Sequence, residues 1–354
     1  MALLRSIFKQ ALLHPTRTAM VDDLRTWSYA KLLGGAYFMA RAIRQATDKP
    51  NVGLMLPTSG AFPAALLGAW QAGKTAVPLN YLLSKEDLHH VIRDSGLDTI
   101  FTASKLLDVI GEDAIPEGIK VIRLDQLSFK GLPRVRWPAS PKDKDLAVLL
   151  YTSGTSGKPK GVMLSHGALD ANVHAIINHA DLGPTNKFLG VLPQFHAFGI
   201  TALTLMPLLL GAEVIYTARF VPRKLIELMR QHKPNVFIAV PSMYGALLSV
   251  KSATREDFAS LEFTVSGADW QGESEISIIK AMQRDSEHHH KVIAAKEVLR
   301  EILDPKHCVS GLQGSQVIDK MKARGFSERI AREAFGELGG KSTRTAETPS
   351  KTVW

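Results

Sequence analysis

As far as about residue 270 the chain alternates short apolar runs with segments whose apolar positions recur every three or four residues. That is the signature of layered α/β structure. Asn51–Leu56 (NVGLML) reads as a strand. After the turn Pro57-Thr58-Ser59-Gly60, Ala61–Gln71 reads as a helix ended by Gly73. Ala76–Leu79 is a second strand, Ser84 is placed to cap a helix over Lys85–Ser95, and Thr99–Thr102 returns to strand. Asp145–Tyr151, Phe188–Leu192, Glu213–Tyr216, Val236–Val240 and Glu262–Val265 are further strands. Helices around Gly167–Asn178, Thr201–Leu210 and Pro222–Gln231 lie between them.

Near Trp270 the texture changes to short polar helices. Val292, Ala295, Leu299 and Ile302 share one helical face that Pro305 ends. Ser315 is placed to cap a helix through Arg324 stopped by Gly325, and Ser327 another through Leu338 stopped by Gly339. The final KSTRTAETPSKTVW reads as a disordered tail. The expected organisation is an α/β domain over residues 1–269, a helical segment over 270–340 and a tail over 341–354.

Composition narrows the class. With 354 residues, 45% of them hydrophobic and 22% charged, the chain can bury real cores in two or three domains. A single cysteine, Cys308, excludes an internal disulfide framework and suits a reducing, cytoplasmic compartment. The opening MALLRSIFKQALLHP lacks the uninterrupted apolar core and cleavage site of a signal peptide. Gly199–Ile215 is the most membrane-like stretch, but Pro207 and Glu213 favour a buried helix followed by a strand. Peripheral membrane contact stays open for an enzyme of greasy substrates. The net charge of +9 is diffuse, with no basic run or basic–aromatic stripe, so a nucleic-acid partner is not expected.

Residues 150–161 read LYTSGTSGKPKG, immediately after an apolar run. Glycines let backbone N–H groups approach phosphate oxygens, hydroxyls donate hydrogen bonds and lysines offset charge. Gly154 and Gly157 stand three apart and Lys158 precedes Pro159, so this is not a Walker P-loop. Read alone, the segment is equally a polar hairpin.

The longer string YTSGTSGKPKGVMLSH (Tyr151–His166) closely resembles the phosphate-binding signature of the AMP-forming acyl-CoA synthetases, a branch of the adenylate-forming superfamily. LPQFHAFGI (Leu192–Ile200) resembles the segment that precedes that family's acyl pocket. VGLMLPTSGAFPAALLGAWQAGKTAVPLN, VFIAVPSMYGALL and LEFTVSGAD also fall in family order, so the resemblance covers residues 1–269. It implies the layered N-terminal subdomains of such a ligase. Thr152, Ser153, Gly154, Thr155, Ser156, Gly157 and Lys158 would hold the β- and γ-phosphates of ATP. His196 would sit near the acyl-adenylate carbonyl, with Lys158 as its catalytic companion, and Phe195, His196 and Phe198 would meet the acyl tail. The implied reaction activates a carboxylic acid, a fatty acid by the apolar character of these residues, with ATP and Mg²⁺; coenzyme A is the implied thiol.

After Asp269 the pattern stops. The family's Tyr-Gly-x-Thr-Glu and Tyr-x-Thr-Gly-Asp motifs do not occur, and Lys351 lacks the glycine that precedes the family's late lysine. The chain therefore reads as a truncated front half joined to unrelated sequence, with ligase turnover impaired. The alternative is a non-catalytic ATP- or acyl-binding protein, or a relic acting through partners. No metal site is expected: His288, His289 and His290 with His307 and Cys308 lack paired zinc-ligand spacing, and Asp22 and Asp23 read as solvated.

Overall fold

Two six-stranded sheets account for the alternating pattern. The computed structural model describes residues 2–128, 141–153, 158–266, 299, 314–327, 330, 331, 334, 343, 344, 352 and 353. They fall in two compact units, Met1–Trp270 and Gln271–Trp354.

In the first unit, α1 (Ala2–Leu13), β1 (Thr18–Val21), β2 (Thr26–Ser28) and α2 (Tyr29–Ala46) lead into a βα series. That series runs β3 (Asn51–Met55), α3 (Ala61–Gln71), β4 (Thr75–Pro78), α4 (Lys85–Asp94), β5 (Thr99–Thr102), α5 (Ser104–Ile110) and β6 (Lys120–Arg123). A hairpin of β7 (Leu146–Ser153) and β8 (Pro159–Ser165) follows, then α6 (His166–Ala180) and β9 (Lys187–Gly190). The first sheet has the order β6-β5-β3-β4-β7-β8 and is parallel except for the β7–β8 pair.

The second sheet is completed by β10 (Glu213–Tyr216), β11 (Val236–Ala239) and β12 (Phe263–Ser266), in the order β12-β11-β9-β10-β1-β2. Only its β1–β2 pair is antiparallel. Serine side chains start the helices: Ser28 accepts from Lys31 N–H, Ser84 from Asp87 N–H and Ser165 from Ala168 N–H.

One apolar cluster joins Leu54 and Val148 of the first sheet, Val214 and Ile238 of the second, and Leu32, Leu66 and Trp70 of α2 and α3. Each such side chain contributes roughly 1.5–3 kcal/mol by leaving water. From Phe62 to Gln71 every residue of α3 is buried, so this helix has no solvent face. Its approach to α2 depends on Gly68, where a Cβ would come within 2.4 Å of the Met39 Cβ. A second cluster covers the first sheet's other face, where Met55, Val77 and Ile100 meet Leu88, Val91 and Ile92 of α4.

The single helix expected over Thr201–Leu210 is corrected to two pieces, entered from a third. A short helix Ala197–Ile200 passes into a π-helical turn Thr201–Leu205 and then into Met206–Leu210. The cause is Pro207, which has no N–H for the Leu203 carbonyl. The Tyr216 hydroxyl donates to that carbonyl instead, at 2.6 Å. Thr204 Oγ1 donates to the Gly199 carbonyl at 2.9 Å, which fits the widened turn.

In the second unit, the helix Gly314–Ala323 buries Val317 and Met321, and Gly325 follows with φ +86°. Ile330 N–H donates to Ser327 Oγ at 3.4 Å, as its reading as a cap requires. Where the sequence reads as a disordered tail, Thr343–Arg344 pairs antiparallel with Thr352–Val353. Leu299 is buried, while Val292, Ala295, Ile302, Leu338, Gly339 and Lys351 lie outside the described residues. So do His288, His289, His290, His307 and Cys308.

Candidate functional site

Ligands of open parallel sheets bind beyond the carboxyl ends of the strands. β7 runs parallel to β4, so its carboxyl end points the same way as those of β3 and β4. From that end the chain enters the glycine-rich segment and returns along β8, with Thr152 opposite Lys160 and Ser153 opposite Pro159. The segment therefore joins the two legs of a hairpin. Thr152 and Lys158 are exposed; Gly154, Thr155, Ser156 and Gly157 lie outside the described residues, as does the Ser153 side chain.

The legs are braced from α4. The Tyr151 hydroxyl donates to Asp94 Oδ2 at 2.6 Å, and His90 Nε2 lies 3.2 Å from the Pro159 carbonyl oxygen. Burial, reinforced by the Asp94 carboxylate, raises the pKa of Tyr151, so the phenol stays a donor.

The Leu192–His196 segment follows β9 and bridges the sheets' loops. Gln194 is wholly buried: its Oε1 accepts Ser59 N–H at 2.9 Å and its Nε2 donates to Thr204 Oγ1 at 3.2 Å. The Phe195 ring, 3% exposed, stands edge-on to Tyr81 with centroids 5.0 Å apart. His196 is exposed, its ring is tilted against that of Phe195 with centroids 4.6 Å apart, and partial burial lowers its pKa. Phe198 is partly buried against the main cluster. Gln194 thus ties this segment to the Pro57–Gly60 turn, and Tyr81 ties it to the loop after β4.

Asp22 is not the solvated carboxylate its sequence context suggests. Its Oδ1 accepts the N–H groups of Leu24 and Arg25, and its Oδ2 accepts Trp27 Nε1–H and Gly60 N–H. Gln194 and Asp22 therefore hold two successive N–H groups of the Pro57–Gly60 turn. Asp23 accepts from Ala218 N–H and pairs with Lys224. Among the described residues no cluster of three or more His, Cys, Asp or Glu could hold a metal ion. None of their helices is long and apolar enough to cross a membrane.

His166, at the end of the signature, packs edge-on against Trp70 at 4.9 Å, and burial lowers its pKa from 6.5 to about 4. The folded state keeps it neutral where the unfolded state is already protonated. Stability should therefore fall as pH drops from about 6.5 towards 4, and His166→Gln should flatten that slope. Urea midpoints measured across this window decide it; an equally steep fall in the variant would place the acid sensitivity elsewhere.

The profile of the family described as AMP-binding enzyme matches residues 7–284. The chain belongs to this family. Among related sequences, a feruloyl-CoA synthase of an Amycolatopsis species is 28% identical over 262 residues, covering 73% of this chain and 52% of that protein. A long-chain-fatty-acid–CoA ligase of Bacillus subtilis (strain 168) is 28% identical over 265 residues, covering 62% and 46%. The crystal structure of ATP-bound MatB from Rhodopseudomonas palustris superposes with a TM-score of 0.65 at 25% identity, covering 75% of this chain and 55% of that one. The chain thus has the layered α/β fold of the N-terminal domain of adenylate-forming proteins, and it spans about half the length of the curated relatives it matches. Its similarity to AMP-forming acid–CoA ligases agrees with the resemblance read from Tyr151–His166.

Proposed function

We propose that the Met1–Trp270 unit binds ATP through Thr152–Lys158 and activates a carboxylic acid with an apolar tail, a fatty acid in the first instance. The observation that carries this reading is the signature segment at the carboxyl edge of the first sheet, with exposed Thr152 and Lys158 flanking the glycines. In the reaction a carboxylate oxygen forms a bond to the α-phosphorus while the bond from that phosphorus to the bridging oxygen breaks. Pyrophosphate leaves and an acyl-adenylate remains, for a thiol such as coenzyme A to take up. Charge grows on the leaving phosphates, so fixed N–H donors and the Lys158 ammonium stabilise the transition state more than the ground state. Mg²⁺ would supply further charge neutralisation, held mainly by phosphate oxygens.

Phe195 and Phe198 beside His196 support an apolar acyl group, and one relative is named as a long-chain-fatty-acid ligase. The feruloyl-CoA synthase relative makes an aromatic acid the alternative tail. A second reading, non-catalytic binding of ATP or acyl groups, is favoured by one sequence observation: no Tyr-Gly-x-Thr-Glu or Tyr-x-Thr-Gly-Asp follows Asp269.

Carboxylate-dependent ATP–pyrophosphate exchange on the full chain separates the two. Exchange with medium- to long-chain fatty acids, reduced about 100-fold by Lys158→Ala, is the expected result. A folded chain that binds ATP without exchange would replace the ligase reading with the binding one.

A further inference from the structure

The braces from α4 do more than fill space. His90 and Asp94 are four residues apart and share one side of the helix, whereas Leu88, Val91 and Ile92 fix another side to the first sheet. Asp94 holds Tyr151, the residue before Thr152, and His90 holds Pro159, the residue after Lys158. Both ends of the glycine-rich segment are therefore tied to one rigid element by neighbouring turns of it.

β8 is an edge strand whose sheet neighbour is β7 alone. β7 is in register with β4 at Val148; past it the two legs pair with each other, and a two-stranded ribbon twists more than a wide sheet. Donors that read a charged group must be held to about 0.5 Å and 10–20° to work. A ladder paired on one side does not supply that precision, and two side chains from a packed helix do.

We propose that His90 and Asp94 are positioning residues for the phosphate-binding segment, setting the spacing and tilt of the legs that carry it. The proposal rests on the function inferred above for Thr152–Lys158. Neither residue touches the polyphosphate; each acts through the leg it holds. Tyr151, 8% exposed, passes the Asp94 contact into the first sheet's second apolar cluster, so its ring and its hydroxyl have separable roles.

The test uses the full chain with Tyr151→Phe, Asp94→Asn, Asp94→Glu and the pair His90→Ala/Asp94→Asn. Without nucleotide, amide hydrogen exchange over residues 150–162 should quicken about tenfold in the pair, with α3 and the second sheet unchanged. With MgATP as titrant, the pair should bind about tenfold more weakly, equivalent to ~1.4 kcal/mol. Tyr151→Phe should account for part of that loss, and Asp94→Glu should recover most of what Asp94→Asn loses. Unchanged exchange in the pair would overturn the brace, and faster exchange with undiminished ATP affinity would overturn its positioning role. A wild-type chain that binds no ATP would sink the function assigned to the loop, while the exchange rates still decide whether the brace exists.

Discussion

Replacing Trp70 with alanine should cost the Met1–Trp270 unit about 5 kcal/mol, a third or more of what a typical domain has to lose. The side chain is 1% exposed, in a helix buried on every side. Its indole Nε1 donates to the Ala147 carbonyl at 2.9 Å, and its ring packs against His166. One residue thus joins α3 to the strand that leads into the glycine-rich segment and to the start of α6. Losing the ring removes its transfer energy and leaves a cavity, together about 3–5 kcal/mol. Stranding the buried Ala147 carbonyl adds about 1–3 kcal/mol. Trp70→Phe keeps most of the apolar area and loses the N–H, so it should show mainly the smaller loss. Urea titrations with slopes compared between variants measure both, and a Trp70→Ala loss below that of Trp70→Phe would contradict this division.

Gly199→Ala should destabilise the same unit by about 3 kcal/mol or more. A Cβ there would lie 2.1 Å from the Pro193 carbonyl oxygen and 3.0 Å from the Gln194 Cα, and backbone cannot swing aside as a side chain can. Pro193 O already accepts His196 N–H at 3.1 Å, and Gly199 O takes the Thr204 hydroxyl. Relieving the clash would therefore shift His196 and unseat the π-helical turn together. Gly245→Ala is the internal control, because that glycine lies inside a helix, Pro241–Leu248, with nothing within 4 Å of the added carbon. It should be neutral or stabilising by about 0.4–1 kcal/mol. Equal denaturant midpoints for the two variants would show that the close approach at Gly199 is not what constrains it.

Where local pattern and burial agree, the sequence specifies its elements closely. Ala61–Gln71, Thr99–Thr102 and Glu213–Tyr216 have in the structure the bounds their periodicity implies. β8 escapes such reading because PKG is poor strand material; it forms because β7 supplies a partner and proline is tolerated as the first residue of an edge strand. α2 carries Gly34 and Gly35 in its interior, which weakens its helical signal, yet packing against α3 decides the outcome. The phosphate signature is legible because its residues are contiguous. The brace from His90 and Asp94 and the link from Gln194 to Ser59 are not, since their partners lie 69, 57 and 135 positions away. Asp22, beside Asp23, reads as solvated for the same reason: the Gly60 N–H it accepts arrives from 38 residues on.

The seat of β1 beside β10 sets the order in which the unit can be completed during synthesis. Met20 pairs with Val214, and Arg17 reaches the Gly211 carbonyl across 194 positions of sequence. At about 5–20 residues per second, translation takes roughly 10–40 s to cover such a span. Through that interval Leu3, Leu4, Ile7 and Phe8 of α1 and Met20 of β1, all buried in the finished unit, have no second sheet to enter. β1 can thus pair with β2 at once but meets its parallel neighbour only much later, and the apolar segment around it must be kept from aggregation until the second sheet has been made.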